Sequence, residues 1–219
     1  MALDPEHRLI VSAVVGKRTE DNARQLVHEM RERTDGRFLN LITSDEYPAY
    51  ATAIAQVYAE AQPSSGGRPA AKRLPPELVY ATVHKTREGN RVVKVEARRV
   101  FGTARDLAAA LCWAVLALVT TVFVERSNGT DRLRNSRKVR KSYRFSKDWG
   151  VHQALSYFTL DSSNFCWAVR TLQVEVAPRR YRQRTPAMAA GLTDHVWSLK
   201  EWLLFPSSKR HQLPPWSPR

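Results

Sequence analysis

The run Arg8 to Gly16, RLIVSAVVG, is apolar and β-branched, the pattern of a buried strand. After it, Thr19 stands before two acids, and Ala23, Leu26, Val27 and Met30 recur every three to four residues; this predicts a capped amphipathic helix over Glu20 to Arg33. His28 falls beside those apolar positions and is expected to pack partly buried. Asp35-Gly36 supplies a turn, RFLNLIT predicts a second strand ending at Ser44-Asp45, and Tyr50 to Glu60 predicts a second helix.

The stretch QPSSGGRPAAKRLPPE is basic and rich in Pro, Gly and Ser, so it predicts a surface linker. Two alternating runs, LVYATVHKT and RVVKVEARRV, meet around REGN and predict a β-hairpin. Leu107 to Val124 carries no charge over 18 residues, the lower limit for a membrane span. Its Ala/Leu-rich first part and β-branched last part also fit a buried helix running into a buried strand, and that reading is preferred. Farther on, HQALSYFTLDSSNFCWAVRTL and HVWSLKEWLLF predict helices or an arm, PSSKRHQLPPWSPR predicts disorder, and no internal repeat is found.

Charge narrows the class. A net charge of +14 and an isoelectric point near 10.3 favour a polyanionic partner, nucleic acid first, over a neutral metabolite. Cys112 and Cys166 lie far apart in apolar settings, without zinc-ligand spacing, and read as core thiols of a reducing compartment. The opening MALDPEHRLIV has no secretory pattern.

Between Thr120 and Lys147, Glu125 ends an apolar run and is followed by nine Lys or Arg and one further acid, Asp131. On the element map Asp4 lies just before the first strand pattern, Asp45 at the end of the second, and Glu125 where a strand gives way to a polar helix. Three carboxylates from separate elements can meet at one sheet edge and hold two hard cations about 3.5 to 4 Å apart, an arrangement that cuts or joins phosphodiesters. The cations around them would neutralise phosphates that the acids alone repel. If Glu125 starts a helix, Asn128 and Arg132 share its face, whereas Arg134, Arg137, Lys138 and Lys141 project from the other side. Against this stands the plainer expectation that any one carboxylate is a solvated surface group and that a basic helix is a solvated face or a nonspecific nucleic-acid contact. Gly16-Lys17-Arg18-Thr19 lacks the first glycine of a phosphate loop.

ALDPEHRLIVSAVVGKRTEDNARQLV, LITSDEYPAY and above all VFVERSNGTDRLRNSRKVRKSYRFSKDW resemble the DDE transposases of the insertion sequence 1 family, over about Leu3 to Phe205 and including RTPAMAAGL. The resemblance implies a catalytic, metal-holding triad of Asp4, Asp45 and Glu125, with Arg132 two helical turns beyond the glutamate. It implies two Mg2+ or Mn2+ ions. It also implies DNA contacts from Arg126, Asn128, Arg134, Arg137, Lys138, Arg140, Lys141 and Lys147. The partners implied are the inverted repeats at transposon ends, target DNA and further copies of the chain in a synaptic complex, in a bacterial, nucleoid-associated, cytoplasmic setting without membrane.

The expected fold is α/β, a ribonuclease H-like mixed sheet with flanking helices. Residues 1–60 and 107–170 form the two parts of the core, 61–106 a basic linker and inserted hairpin, 171–206 a C-terminal helical arm, and 207–219 a disordered tail. In such a sheet the strand ahead of the first aspartate is central, and the chain begins three residues before Asp4. The expectation is therefore a sheet lacking that strand or completed by the product of an upstream frame; the competing reading is a truncated transposase that binds DNA without cutting it.

Overall fold

Four consecutive residues, Tyr80 to Val83, are buried, so the strand that carries them needs cover on both faces. The computed structural model describes residues 1–36, 41–61, 72–89, 91–139 and 142–206. It divides into two units, Met1–Asp161 and Ser162–Arg219. In chain order the elements are β1 (Ala2–Asp4), β2 (Leu9–Ser12), α1 (Glu20–Arg33), β3 (Ile42–Asp45), α2 (Pro48–Tyr58), β4 (Glu60–Ala61), β5 (Lys72–Arg73), β6 (Tyr80–Glu88) and β7 (Arg91–Phe101). There follow α3 (Ala104–Trp113), α4 (Val122–Arg134), α5 (Trp149–Cys166), β8 (Val174–Ala177), β9 (Arg180–Arg182), α6 (Pro186–Ala189) and α7 (Leu199–Leu204).

The chain is mixed α/β. β6 is the middle strand of three, parallel to β3 on one side and antiparallel to β7 on the other. The β6–β7 hairpin is thus part of the main sheet rather than an insertion, because a strand whose first half is buried must lie between partners. On one face Tyr80 packs with Ile42 and Phe101 against α1 and α2, through Val27, Met30, Ile54 and Tyr58. On the other, Ala81 and Val83 pack with Val119 against Leu107 and Leu111 of α3. Gly102 turns the chain out of β7 at φ +83°; a Cβ there would lie 3.2 Å from the Leu78 carbonyl oxygen, so the turn needs glycine twice over.

The first helix forms as its sequence dictates. The Thr19 hydroxyl accepts the Asn22 N–H at 3.3 Å, Glu20 and Asp21 occupy the first turn, and Ala23, Leu26, Val27 and Met30 are the buried positions. β1 and β2 form a separate antiparallel hairpin whose Ala2 and Val11 rest against the same core. Among the described residues no ladder joins this hairpin to β3–β6–β7, and β1 and β3 each keep one unpaired edge.

Several expectations change. Asp4 ends a strand instead of preceding the first one. Val119 to Val124 does not form a strand: the Thr120 hydroxyl accepts the Val122 N–H at 3.1 Å and the Thr121 carbonyl accepts the Glu125 N–H at 3.0 Å, which begins a helix and overrides β-branched propensity. Trp113 and Leu118 in the preceding run are exposed, not core. No helix among the described residues is long and apolar enough to cross a membrane, since α3 stops at Trp113. His28 is exposed beside Glu32, Cys112 is exposed and Cys166 is half-buried. Residues 171–206, expected as a helical arm, carry the β8–β9 hairpin ahead of their short helices, so they are not purely helical. Residues 37–40 of the second strand pattern, most of the linker, Asn90 and the 207–219 tail lie outside the described residues.

Ile54 is 2% exposed and belongs to the core cluster that joins α1, α2 and the sheet. Ile54→Ala is expected to lower unfolding free energy by about 2–5 kcal/mol, whereas Val95→Ala on the exposed β7 changes it by no more than about 0.5 kcal/mol, both read by urea denaturation.

Candidate active site

Asp45 is the last residue of β3 and stands in register with Val83 of β6. Thr43, two residues earlier on the same strand face, donates its hydroxyl to the Thr120 carbonyl at 3.2 Å, which fixes the start of α4 beside that face. Lys85 continues the Val83 face of β6, and its ammonium donates to the Glu125 carboxylate in the first turn of α4. The parallel ladder therefore brings Asp45 and Glu125 to one face of the sheet, near the carboxyl end of β3.

Each acid already holds a cation. Asp45 accepts from Arg18 at 2.6 Å; the Arg18 guanidinium lies 4.3 Å from the Tyr47 ring centroid, and the Tyr47 hydroxyl donates to the Arg18 carbonyl at 2.9 Å. Glu125 accepts from Lys85 and, at 3.0 Å, from the Thr121 hydroxyl. These hydrogen bonds, Lys85 first, pull the Glu125 carboxyl below the ordinary glutamate range, against a smaller opposing effect of burial. The neighbouring Glu46 is taken up by His84 and, at 3.0 Å, by Arg98.

Asp4 is placed differently. Its carboxylate accepts the Glu6 N–H at 2.9 Å and pairs with His7 at 2.6 Å, closing the β1–β2 turn in the manner of an Asx turn. Arg8, at φ 57°, turns the chain back and stacks its guanidinium 3.8 Å from the Phe123 ring centroid of α4. Burial, then the nearby Arg126, lowers the Arg8 pKa. Asp4 thus has its carboxylate engaged within its own turn, while Asp45 and Glu125 are engaged by Arg18 and Lys85. The pair Asp45 and Glu125 fits divalent ions by donor chemistry, being hard oxygen ligands on a shared face, and such ions would compete with Arg18 and Lys85 for the same oxygens.

The basic residues divide by what they touch. Arg132 is exposed, one helical face with Glu125 and half-buried Asn128. Arg126, Arg134, Arg137 and Lys147 are exposed. Lys138 is instead drawn inward to Asp131 at 2.5 Å, and Asp131 also accepts from Thr159 of α5 at 2.9 Å, so Asp131 ties α4 to α5 and the lysine holds the turn after α4 against that junction. Arg140 and Lys141 lie outside the described residues. Gly129 sits mid-helix on the Glu125 face, and a Cβ there would meet nothing within 4 Å. Packing does not require this glycine, and the bare backbone leaves room for close approach of another molecule.

Sequence reasoning did not find Arg18 or Lys85 as partners of the acids. For Lys85 a signal existed in the alternation of β6, which puts it on the Val83 face; for Arg18 the contact depends on how the β2–α1 connection folds back over β3. Comparison with protein-family models, curated proteins and solved structures finds no match to this chain.

Because the folded Glu125 pKa is depressed, the Lys85–Glu125 pair contributes stability at pH above the ordinary carboxylate range and loses it as pH falls through the depressed value. In Lys85→Met the Glu125 carboxyl carbon, followed by NMR, is expected to titrate at higher pH than in the parent. Gly129→Ala is expected to raise unfolding free energy by about 0.5–1 kcal/mol in thermal or urea denaturation, since it adds helix propensity without a clash.

Proposed function

We propose that this chain cleaves DNA strands and transfers them at the ends of an insertion element, as a DDE transposase of the insertion sequence 1 type with a ribonuclease H-like core. The observation that supports this reading best is the common sheet face of Asp45 and Glu125, set beside Lys85 and the exposed arginines of α4. Magnesium or manganese, two ions in the mechanism the resemblance implies, would supply activation of the attacking oxygen and stabilisation of the leaving one. Asp45 and Glu125 would hold such ions. Arg132, on the Glu125 face, orients a neighbouring phosphate, while Arg126, Arg134, Arg137 and Lys147 fix the DNA backbone. Among the described residues β1 and β3 each keep an unpaired edge that suits addition of a further strand, and strand transfer at paired ends calls for more than one copy of the chain.

A second reading, DNA binding without cleavage, is favoured by one observation: the Asp4 carboxylate is engaged within its own turn by the Glu6 N–H and His7.

The two readings separate in a nicking assay on element-end DNA with magnesium or manganese. Glu125→Gln and Asp45→Asn are each expected to reduce cleavage about a hundredfold or more while leaving DNA binding intact. Cleavage equal to the parent in Glu125→Gln contradicts the assignment of the acids. Absence of cleavage in the parent together with intact binding selects the second reading.

A further inference from the structure

Away from the acids, a cavity of about 460 Å³ opens between the end of α4 and the start of α5. Its wall includes Arg137, Tyr143, Arg144, Phe145, Lys147 and Asp148. Residues on its wall are tied by hydrogen bonds of their own. The buried Ser146 donates its N–H to the Arg137 carbonyl at 3.1 Å and its hydroxyl to the Asp148 carbonyl at 3.2 Å, while Phe145 N–H closes a turn onto Ser142 at 3.1 Å.

The charges left over are positive. Asp148 accepts the Val151 N–H at 2.7 Å and so caps α5, whereas Arg137, Arg144 and Lys147 have no carboxylate partner among the described residues. The start of an 18-residue helix, with its positive dipole end, adjoins the same rim.

The rings are equally unused by the fold. Tyr143 is fully exposed, Phe145 is 46% and Trp149 57% exposed. Trp149 stacks on His152 with ring centroids 5.6 Å apart at 23°, and Phe145 lies 6.3 Å from the same imidazole, so the three form one aromatic cluster that leaves Phe145 and Trp149 about half exposed. Folding alone gives no reason to leave a tyrosine, a phenylalanine and a tryptophan exposed beside three unpaired cations.

Rings bind flat apolar faces, and cations bind phosphates. In duplex DNA the base faces are stacked away, so phosphate contacts would use the cations and leave the rings idle. A single strand offers both at once, a free base face and its flanking phosphate. From this geometry we infer that the cavity lined by Arg137, Tyr143, Arg144, Phe145 and Lys147, with the Trp149 ring beside it, binds single-stranded DNA, taking one unstacked base against Tyr143 and Phe145 and its phosphate against Arg144 and Lys147. The choice of DNA rests on the function proposed above; recognition of an unstacked base does not require cleavage.

The test is fluorescence anisotropy with the full chain in EDTA, using a labelled 12-nucleotide deoxythymidine strand and a 12-base-pair duplex at fixed salt. Working without metal keeps the result independent of whether the acids cleave. Tyr143→Ala and Phe145→Ala are each expected to weaken single-strand binding about tenfold and to change duplex binding less than about twofold. Arg144→Ala and Lys147→Ala should each lower the slope of log affinity against log salt by about one. Tyr143 is wholly exposed, so its variant tests the contact without disturbing the fold, and circular dichroism of each variant checks this. Unchanged single-strand affinity in Tyr143→Ala and Phe145→Ala, or equal loss for strand and duplex, overturns the inference. An RNA 12-mer binding tighter than the DNA strand overturns the assignment to DNA.

Discussion

The parallel pairing of β3 with β6 is the constraint from which the rest follows. β6 is buried over Tyr80 to Val83 and emerges into water by Thr86, so a single strand is both the centre of the core and a support of the candidate site. Its register puts Asp45 opposite Val83, and two residues farther on Lys85 reaches Glu125. A one-residue slip would turn Tyr80 away from α1 and α2 and Lys85 away from α4 together. The apolar fit that fixes the core therefore also fixes the acids.

Electrostatics then determines what those acids can do. Two carboxylates on one face repel, and here each is compensated by a cation brought from another element, Arg18 from the β2–α1 connection and Lys85 from β6. Such exposed pairs add little to stability. Their consequence for the proposed function is that a divalent ion would have to compete with Arg18 and Lys85 for the carboxylate oxygens, and a phosphate with the acids for those cations. The surplus of +14 over the whole chain is the long-range counterpart: in the proposed function it would offset the repulsion between these acids and a polyanion.

Much of this was legible in the residues. The α1 periodicity and its Thr19 cap, the position of Asp45 at a strand's carboxyl end, and the β6–β7 hairpin all depend on local patterns that the tertiary structure does not oppose. The failures arise where partners decide. Val119 to Val124 has strand composition, yet its N–H groups find hydroxyl and carbonyl acceptors that start a helix. Lys138 reads as one more surface charge until Asp131 takes it inward. The contacts of Asp4 within its own turn, to the Glu6 N–H and His7, are not legible either, because they depend on how the β1–β2 turn closes. The hairpin reads as an insertion because sequence order does not show that β3 needs β6 as its partner.

The most direct measurement of the central claim is paramagnetic broadening of backbone NMR signals by substoichiometric Mn2+. If Asp45 and Glu125 share one ion-binding place on the β3–β6 face, signals around Asp45, Lys85 and Glu125 broaden together, and Asp45→Asn relieves the broadening at Glu125 as well as at its own position. Broadening confined to one of the two acids, or unaffected at Glu125 by the Asp45 change, would contradict a common site.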